Sequence, residues 1–196
     1  EDHTDLPVVE SFSRGAFTLF VGSSWQPDED FIIPYFNEHP EMKMVLAPHE
    51  ISEDRISGIL AGLKRPAVRY TKTTPEEAAE ADCLILDCYG ILSKSYRFAT
   101  VAYVGGGFGV GIHNINEAAV YGIPVVFGPK YGKFKEARDL IALEGAFTVS
   151  GGDEYALVMN RLLSDGEYLK KHGEIAGGYI RDNLGATRRI YDAIFK

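Results

Sequence analysis

Short apolar runs alternate with amphipathic stretches along the chain. The runs predict buried strands at 17–21, 44–47, 68–70, 84–86, 101–104, 124–127 and 147–149, of which 68–70 is the weakest. Helical patterns follow at 27–37, 53–63, 92–98, 116–121, 134–143 and 154–163, and the tail at 167–195 is helical but broken at Gly173, Gly177, Gly178 and Gly185. Strands that are apolar throughout, each followed by an amphipathic helix, indicate a parallel sheet that is covered on both faces. The pattern therefore predicts an α/β fold, a Rossmann-like doubly wound parallel sheet of about six strands.

Composition narrows the classes of function. The 196 residues include 20 Lys+Arg against 28 Asp+Glu, a net charge of −8, which argues against nucleic-acid binding. No stretch approaches 18 uncharged apolar residues, so no membrane span is predicted. Residues 1–196 contain no linker or repeat and are predicted to form a single domain. The first residue is Glu1 rather than Met, so we expect a processed chain or a fragment of a longer one.

Ligands of such sheets bind at the carboxyl ends of the strands, and the chain has its most informative loop there. Five glycines fall within 105–111, and a predicted helix follows near Asn116. The glycines would let main-chain N–H groups approach a ligand, and the helix start suits a phosphate. Glu117 could then accept both hydroxyls of a ribose. The spacing does not fit the dinucleotide fingerprint, and Asn114 with Glu117 also has the spacing of a capping box.

Other loops carry weaker signals. Ser23 and Ser24 could hold a phosphate or a sugar acid, or could simply begin a helix. The segment 128–134 fails the spacing of an ATPase phosphate loop, although Lys130 or Lys133 could meet an anion. His49 follows the second strand. No metal-ligand spacing and no serine-hydrolase elbow occurs in the sequence.

Together these motifs resemble a known family. The string Gly105-Gly-Gly…His113-Asn-Ile-Asn-Glu117-Ala-Ala…Pro124-Val-Val-Phe-Gly128-Pro129 is similar to the C-terminal domain of 3-deoxy-D-manno-octulosonic acid (Kdo) transferases. These are glycosyltransferases of the GT-B architecture, which has two Rossmann-like domains. The resemblance covers about residues 15–195. Residues 22–24 and 48–50 fall where the family has its Gly-Ser-Thr and Pro-Arg-His motifs.

The resemblance implies a donor-binding domain for CMP-Kdo, half of an enzyme that moves Kdo onto a lipid A precursor in lipopolysaccharide biosynthesis. It implies no metal and no cofactor beyond this donor, and a location at the cytoplasmic face of the bacterial inner membrane by peripheral contact. The general base and the acceptor site would lie in an N-terminal domain absent from these residues, so the chain alone is expected to be inactive. The implied donor-binding residues are Ser23, Ser24, His49, Gly105, Gly106, Gly107, His113, Asn114, Asn116, Glu117 and Lys133.

Two departures from the family pattern concern charge. His49 stands where the family has Arg, and Lys133 stands where many members have Asn. Three alternatives remain open: a GT-B transferase that uses a UDP-sugar, a UDP-sugar epimerase, and a nucleotide-binding module without catalysis.

Overall fold

Seven parallel strands form one sheet in a computed structural model, which describes residues 5–195, apart from the side chains of 186–188, 190 and 191. The strands are β1 (Phe17–Ser24), β2 (Met42–Pro48), β3 (Ala67–Arg69), β4 (Cys83–Ile85), β5 (Val101–Val104), β6 (Val125–Phe127) and β7 (Ala146–Thr148). Their order is β3-β4-β2-β1-β5-β6-β7. The strand order reverses between β1 and β5, so the carboxyl ends of these two strands flank the place where such sheets bind ligands.

Nine α-helices are present among residues 5–195. They are α1 (Pro7–Ser13), α2 (Gln26–Asn37), α3 (Glu53–Gly62), α4 (Pro75–Glu80), α5 (Leu92–Ser95), α6 (Asn116–Ala119), α7 (Lys135–Leu143), α8 (Gly152–Ser164) and α9 (Gly166–Phe195). Two 3₁₀ turns, Tyr70–Lys72 and Tyr96–Phe98, complete the described elements.

Each face of the sheet buries its own apolar cluster, as successive side chains of a strand point to opposite faces. From β1, Phe20 enters one cluster with Phe12 and Phe127, whereas Leu19 enters the other with Phe36 and Met159. The predicted α/β fold with a doubly wound parallel sheet is confirmed. The count of about six strands was one short, because β3 spans three residues and none of them is fully buried.

The prediction that glycines break the C-terminal helix was wrong, and packing explains why. Helix α9 runs continuously from Gly166 to Phe195. A Cβ at Gly173 would lie 2.4 Å from the carbonyl oxygen of Gly122, and one at Gly177 would lie 2.8 Å from the Gly122 Cα. These glycines allow α9 to cross directly over the turn before β6, and that contact offsets their low helix propensity.

Candidate functional site

A cavity of about 340 Å³ opens at the carboxyl ends of β1, β2, β4 and β5. It lies beside the position where the strand order reverses, as expected for a ligand site in this class of sheet. Its lining residues come from the ends of β1 and β2, from the loops that follow β2, β4 and β5, and from α5 and α6: Ser23, Ala47, Pro48, His49, Ile51, Leu86, Cys88, Tyr89, Gly90, Leu92, Ser93, His113 and Glu117. Four of the predicted donor-binding residues are therefore brought together: Ser23, His49, His113 and Glu117.

The two serines at the end of β1 have different surroundings. The pairing with β2 shifts register between Gly22 and Ser24, and Ser23 adopts a left-handed backbone with φ of 53°. Such a conformation is uncommon for a non-glycine residue, and it leaves Ser23 beside the cavity. Ser24 is fully buried, and its hydroxyl donates to Glu29 Oε2 at 2.7 Å. The structure therefore brings Ser23 to the site and directs Ser24 away from it.

Two adjacent carboxylates in the first turn of α2 anchor the loops around the cavity. Glu29 accepts from Ser24 and pairs with Arg55 of α3 at 2.7 Å. Asp28 accepts from the Tyr103 hydroxyl at 2.6 Å and from the Trp25 main-chain N–H at 3.0 Å. Burial raises the pKa of Asp28, and these hydrogen bonds oppose the rise. Both carboxylates are buried and take part in a polar network that connects β1, β5 and α3.

The imidazole rings of His49 and His113 form one wall of the cavity, and the Trp25 indole contacts both of them. Trp25 stacks on His49, with ring centroids 4.3 Å apart and planes inclined by 22°. The His49 and His113 centroids are 4.7 Å apart, and Trp25 Nε1–H donates to His113 Nε2 at 3.3 Å. Burial and the neighbouring His49 lower the pKa of His113. Sequence reasoning missed Trp25, although it directly follows the Gly-Ser-Ser turn at the end of β1.

The glycine-rich loop has an internal reason for its glycines. A Cβ at Gly105 would lie 2.2 Å from the Ser23 carbonyl oxygen, and one at Gly107 would lie 2.6 Å from the Gly128 Cα. The Gly105 N–H donates to Gly22 at 2.8 Å. Among the described residues that line the cavity, none is Gly105, Gly106 or Gly107. Their contact with a donor phosphate stays a prediction, and close packing of main chain is the role that the structure shows.

The segment after this loop places Glu117 at the cavity. Asn114 Oδ1 accepts from the Asn116 N–H at 2.9 Å, and α6 is a single turn, shorter than the predicted 116–121. A helix of one turn has a small dipole and contributes less to anion binding than expected. Glu117 is exposed, and within residues 5–195 its carboxylate makes no hydrogen bond or ion pair. It is therefore available to a ligand's hydroxyl groups.

Besides Ser24 and the three glycines, the predicted residues Asn114, Asn116 and Lys133 also lie outside the 340 Å³ cavity. Asn114 and Asn116 line a second cavity of about 330 Å³, shared with Glu117 and α9. Asn116 Oδ1 is buried and has no hydrogen-bond partner within the described part of the chain. Lys133 lies in a groove of about 390 Å³ with Lys130 and Phe134. A donor role for these three would need an extended ligand, and it stays a prediction.

The loop after β4 supplies cavity residues that sequence reasoning did not select. Cys88, Tyr89 and Gly90 line the cavity, and the Tyr89 side chain is 75% exposed. Asp87 fixes this loop, accepting from Arg69 Nε at 2.9 Å and from the Thr71 N–H at 2.9 Å. The only sequence signal that could have identified these residues was their position just after a buried strand.

Neither metal ligands nor a membrane span is found in the part of the chain that the structure describes. Within residues 5–195, no group of three or more His, Cys, Asp or Glu side chains is placed to hold a metal ion. No helix in that range has the length and apolar character needed to cross a bilayer.

The fold and the cleft define the class first: this is a Rossmann-like α/β domain of the kind found in GT-B glycosyltransferases. The C-terminal CMP-Kdo binding domain of WaaA from Acinetobacter baumannii superposes with a TM-score of 0.73 at 22% identity, over 85% of this chain and 90% of that one. At that identity the likeness concerns the fold alone.

Sequence similarity then gives the particular relatives, which are Kdo transferases. The chain is 31% identical over 176 residues to 3-deoxy-D-manno-octulosonic acid transferase of Aquifex aeolicus, covering 85% of this chain and 48% of the relative. It is 26% identical over 201 residues to that of Rickettsia felis, covering 98% of this chain and 43% of the relative. No family model matches the chain. The predicted resemblance to Kdo transferases is confirmed, and the chain spans about half the length of the relatives it matches.

Proposed function

We propose that residues 1–196 form the donor-binding domain of a Kdo transferase and bind CMP-Kdo, the donor from which Kdo is moved onto a lipid A precursor in lipopolysaccharide biosynthesis. One observation carries the proposal: the Glu117 carboxylate has no partner among the residues that the structure describes, and it lines a cavity at the switch point of the sheet together with Ser23, His49 and His113. The sequence relatives support the choice of donor, since the Aquifex aeolicus and Rickettsia felis proteins are Kdo transferases.

Each residue has a distinct task in this proposal. Glu117 accepts hydrogen bonds from the ribose hydroxyls through its two carboxylate oxygens. The left-handed turn at Ser23 and the rings of His49 and His113 face the phosphate and the sugar acid. Transfer breaks the bond between the Kdo anomeric carbon and a phosphate oxygen, and CMP leaves with the electron pair. Fixed hydrogen-bond donors at that oxygen stabilise the charge that develops on it.

Catalysis needs more than these residues in our proposal. We assign the general base and the acceptor site to a second domain, because the chain spans about half of its relatives. The chain alone would then bind donor without transferring Kdo. We further propose that binding needs no metal ion, and that the whole enzyme works at the cytoplasmic face of the inner membrane through peripheral contact. Incubation of the chain with CMP-Kdo and a lipid A precursor tests this directly, because robust turnover would contradict it.

Calorimetric titration of the 196-residue chain with CMP and UDP, with and without EDTA, tests the donor. We expect CMP to bind more tightly than UDP. In an NMR titration, the amide shifts that CMP causes should concentrate around the cavity. Glu117→Gln should weaken CMP binding by about ten- to a hundredfold, the effect of losing hydrogen bonds to a charged acceptor. The matched control is Glu136→Gln, since Glu136 lines only the second cavity. It should change the affinity little.

A second titration assigns the effect to the ribose. With 2′-deoxy-CMP, Glu117→Gln should cost much less than with CMP, because one of its two partners is already absent. An equal cost with both nucleotides would contradict the role of Glu117. Tighter binding of UDP than CMP would favour the UDP-sugar alternatives, and failure to bind either nucleotide would contradict the proposed function.

A further inference from the structure

The cavity proposed to hold the donor is lined by the Glu117 carboxylate and, among the described residues, by no permanently charged cation. Among the described residues that line it, none is lysine or arginine, and Glu117 contributes a negative charge. The proposed donor carries a phosphodiester and a carboxylate. Binding such a ligand here costs free energy unless a cation contacts it. The negative charges of the ligand and of Glu117 repel each other, and both lose water when the ligand binds. The groups on this wall that can acquire a positive charge are His49 and His113.

The ring geometry separates the two histidines. His113 Nε2 accepts the indole N–H of Trp25 at 3.3 Å, so the neutral ring carries its proton on Nδ1. Burial and His49 also hold the pKa of His113 below its ordinary value. A His113 ring that keeps this bond to Trp25 is neutral and offers one N–H, from Nδ1. A proton on its Nε2 would break the bond to Trp25.

His49 is the better place for the proton. It is exposed, and it stacks on the face of Trp25 with centroids 4.3 Å apart, where an imidazolium is attracted by the indole quadrupole. The centroid distance of 4.7 Å to His113 makes simultaneous protonation of both rings unfavourable. We therefore expect at most one of the two imidazole rings to be protonated at a time.

The other charged and titratable groups around the pair fit this assignment. Asp28, from α2, favours positive charge near His113. Glu117, from α6, lines the same cavity as the two histidines. Tyr89 and Cys88, from the loop after β4, line it as well. Burial raises the pKa of the Cys88 thiol, which keeps it neutral. Glu50, next to His49, is exposed to solvent.

We propose that His49 takes up one proton from solvent when the donor binds, and that this imidazolium, stacked on Trp25, is the cation that meets the donor's phosphate, with neutral His113 as a hydrogen-bond donor beside it. Arginine at this position would carry its charge permanently, whereas His49 carries it only in the complex. The inference rests on the proposed function, since it concerns the same cavity and the same ligand.

The test is calorimetry of the 196-residue chain with cytidine 5′-methyl phosphate, a phosphodiester whose single negative charge does not change near neutral pH. Titrations in buffers of different ionisation enthalpy measure the protons taken up. We expect uptake of up to one proton near neutral pH. Affinity should fall by about tenfold between about pH 6 and about pH 8, within the limit of about a hundredfold that one linked proton sets over this range. Uncharged cytidine should bind equally across this range.

Three variants identify the group that carries the proton. His49→Arg should bind the phosphodiester equally well at both ends of the pH range, without proton uptake. His49→Phe keeps a ring to stack on Trp25, and it should bind weakly at every pH. His39→Gln is the matched control, because His39 stacks on Tyr35 away from the cavity, and it should keep the pH dependence. Binding of cytidine by all variants shows that the cavity stays folded.

The outcomes separate the inference from the proposed function. Phosphodiester binding without pH dependence or proton uptake would overturn the inference and leave the function standing. Proton uptake that persists in His49→Phe would also overturn it, by assigning the proton to another group. No binding of the phosphodiester or of CMP at any pH would overturn both.

Discussion

Replacing Gly107 by alanine tests whether main-chain packing dictates the glycines of the loop after β5. A Cβ at Gly107 would lie 2.6, 2.7 and 2.8 Å from the Cα, N and C atoms of Gly128. These are main-chain atoms, so no side chain can rotate away. The Lys130 N–H donates to the Gly107 carbonyl at 2.9 Å, which ties the two loops together at the same point. Separating them enough for a methyl group would strain that bond.

The cost should be at the upper end of that for overpacking, about 2–3 kcal/mol of unfolding free energy. For a domain of this size, that lowers the Tm by about 4–12 °C. Urea denaturation followed by circular dichroism measures the cost. The matched control is Gly132→Ala in the same loop as Gly128, because a Cβ there meets nothing within 4 Å. It should change the unfolding free energy by less than about 0.5 kcal/mol.

The result distinguishes packing from ligand contact. If the glycine served only to let a ligand approach, Gly107→Ala would weaken CMP binding and leave the urea midpoint unchanged. A midpoint within error of the unmodified chain would refute the packing argument.

Three further substitutions test other parts of the structure. Ser24→Ala removes the donor to buried Glu29 and should cost about 1–3 kcal/mol in urea denaturation, while CMP affinity changes less than twofold. For Asp87, burial alone would raise the pKa, but hydrogen bonds from Thr71 and Arg69 outweigh it and hold the pKa below its ordinary value. Its contribution is therefore present above about pH 4 and is lost as pH falls through the lowered pKa, so Asp87→Asn should flatten the acid limb of a plot of urea midpoint against pH. Glu144 caps α7 in a left-handed conformation with φ of 65°, which is strained for a residue with a side chain. Glu144→Gly should therefore raise the unfolding free energy by about 0.5–1 kcal/mol, and an unfolding free energy below that of the unmodified chain would contradict this argument.

The sheet was predictable because its strands are continuous apolar runs, a pattern that tertiary context seldom changes. Two short helices were not predicted. Helices α1 (Pro7–Ser13) and α4 (Pro75–Glu80) span seven and six residues, too few for a clear helical period. The glycines of α9 were interpreted by their local propensity, whereas Gly173 and Gly177 are explained by their contact with Gly122, about 50 residues earlier in the sequence.

The site was predictable in its location and in part of its chemistry. Ser23, His49, His113 and Glu117 share one cavity because each lies at or just after the end of a strand, and the topology brings such positions to one edge of the sheet; their contact with a donor stays a prediction. The sequence could not distinguish Ser24 from Ser23, because a hydroxyl at a turn looks the same whether it faces a ligand or a buried carboxylate. The contact between Trp25 and His113 joins residues 88 positions apart, and no local pattern records it.

The buried pair Asp28 and Glu29 has a consequence for how a donor would enter. Neighbouring residues on a helix point about 100° apart, so one turn of α2 reaches in two directions. Asp28 contacts Tyr103 at the end of β5, and Glu29 contacts Ser24 at the end of β1. The two walls of the cleft at the ends of β1 and β5 are thus held by the same helix. Their ordering entropy is lost when the chain folds, so an arriving donor would meet a cleft already shaped to receive it.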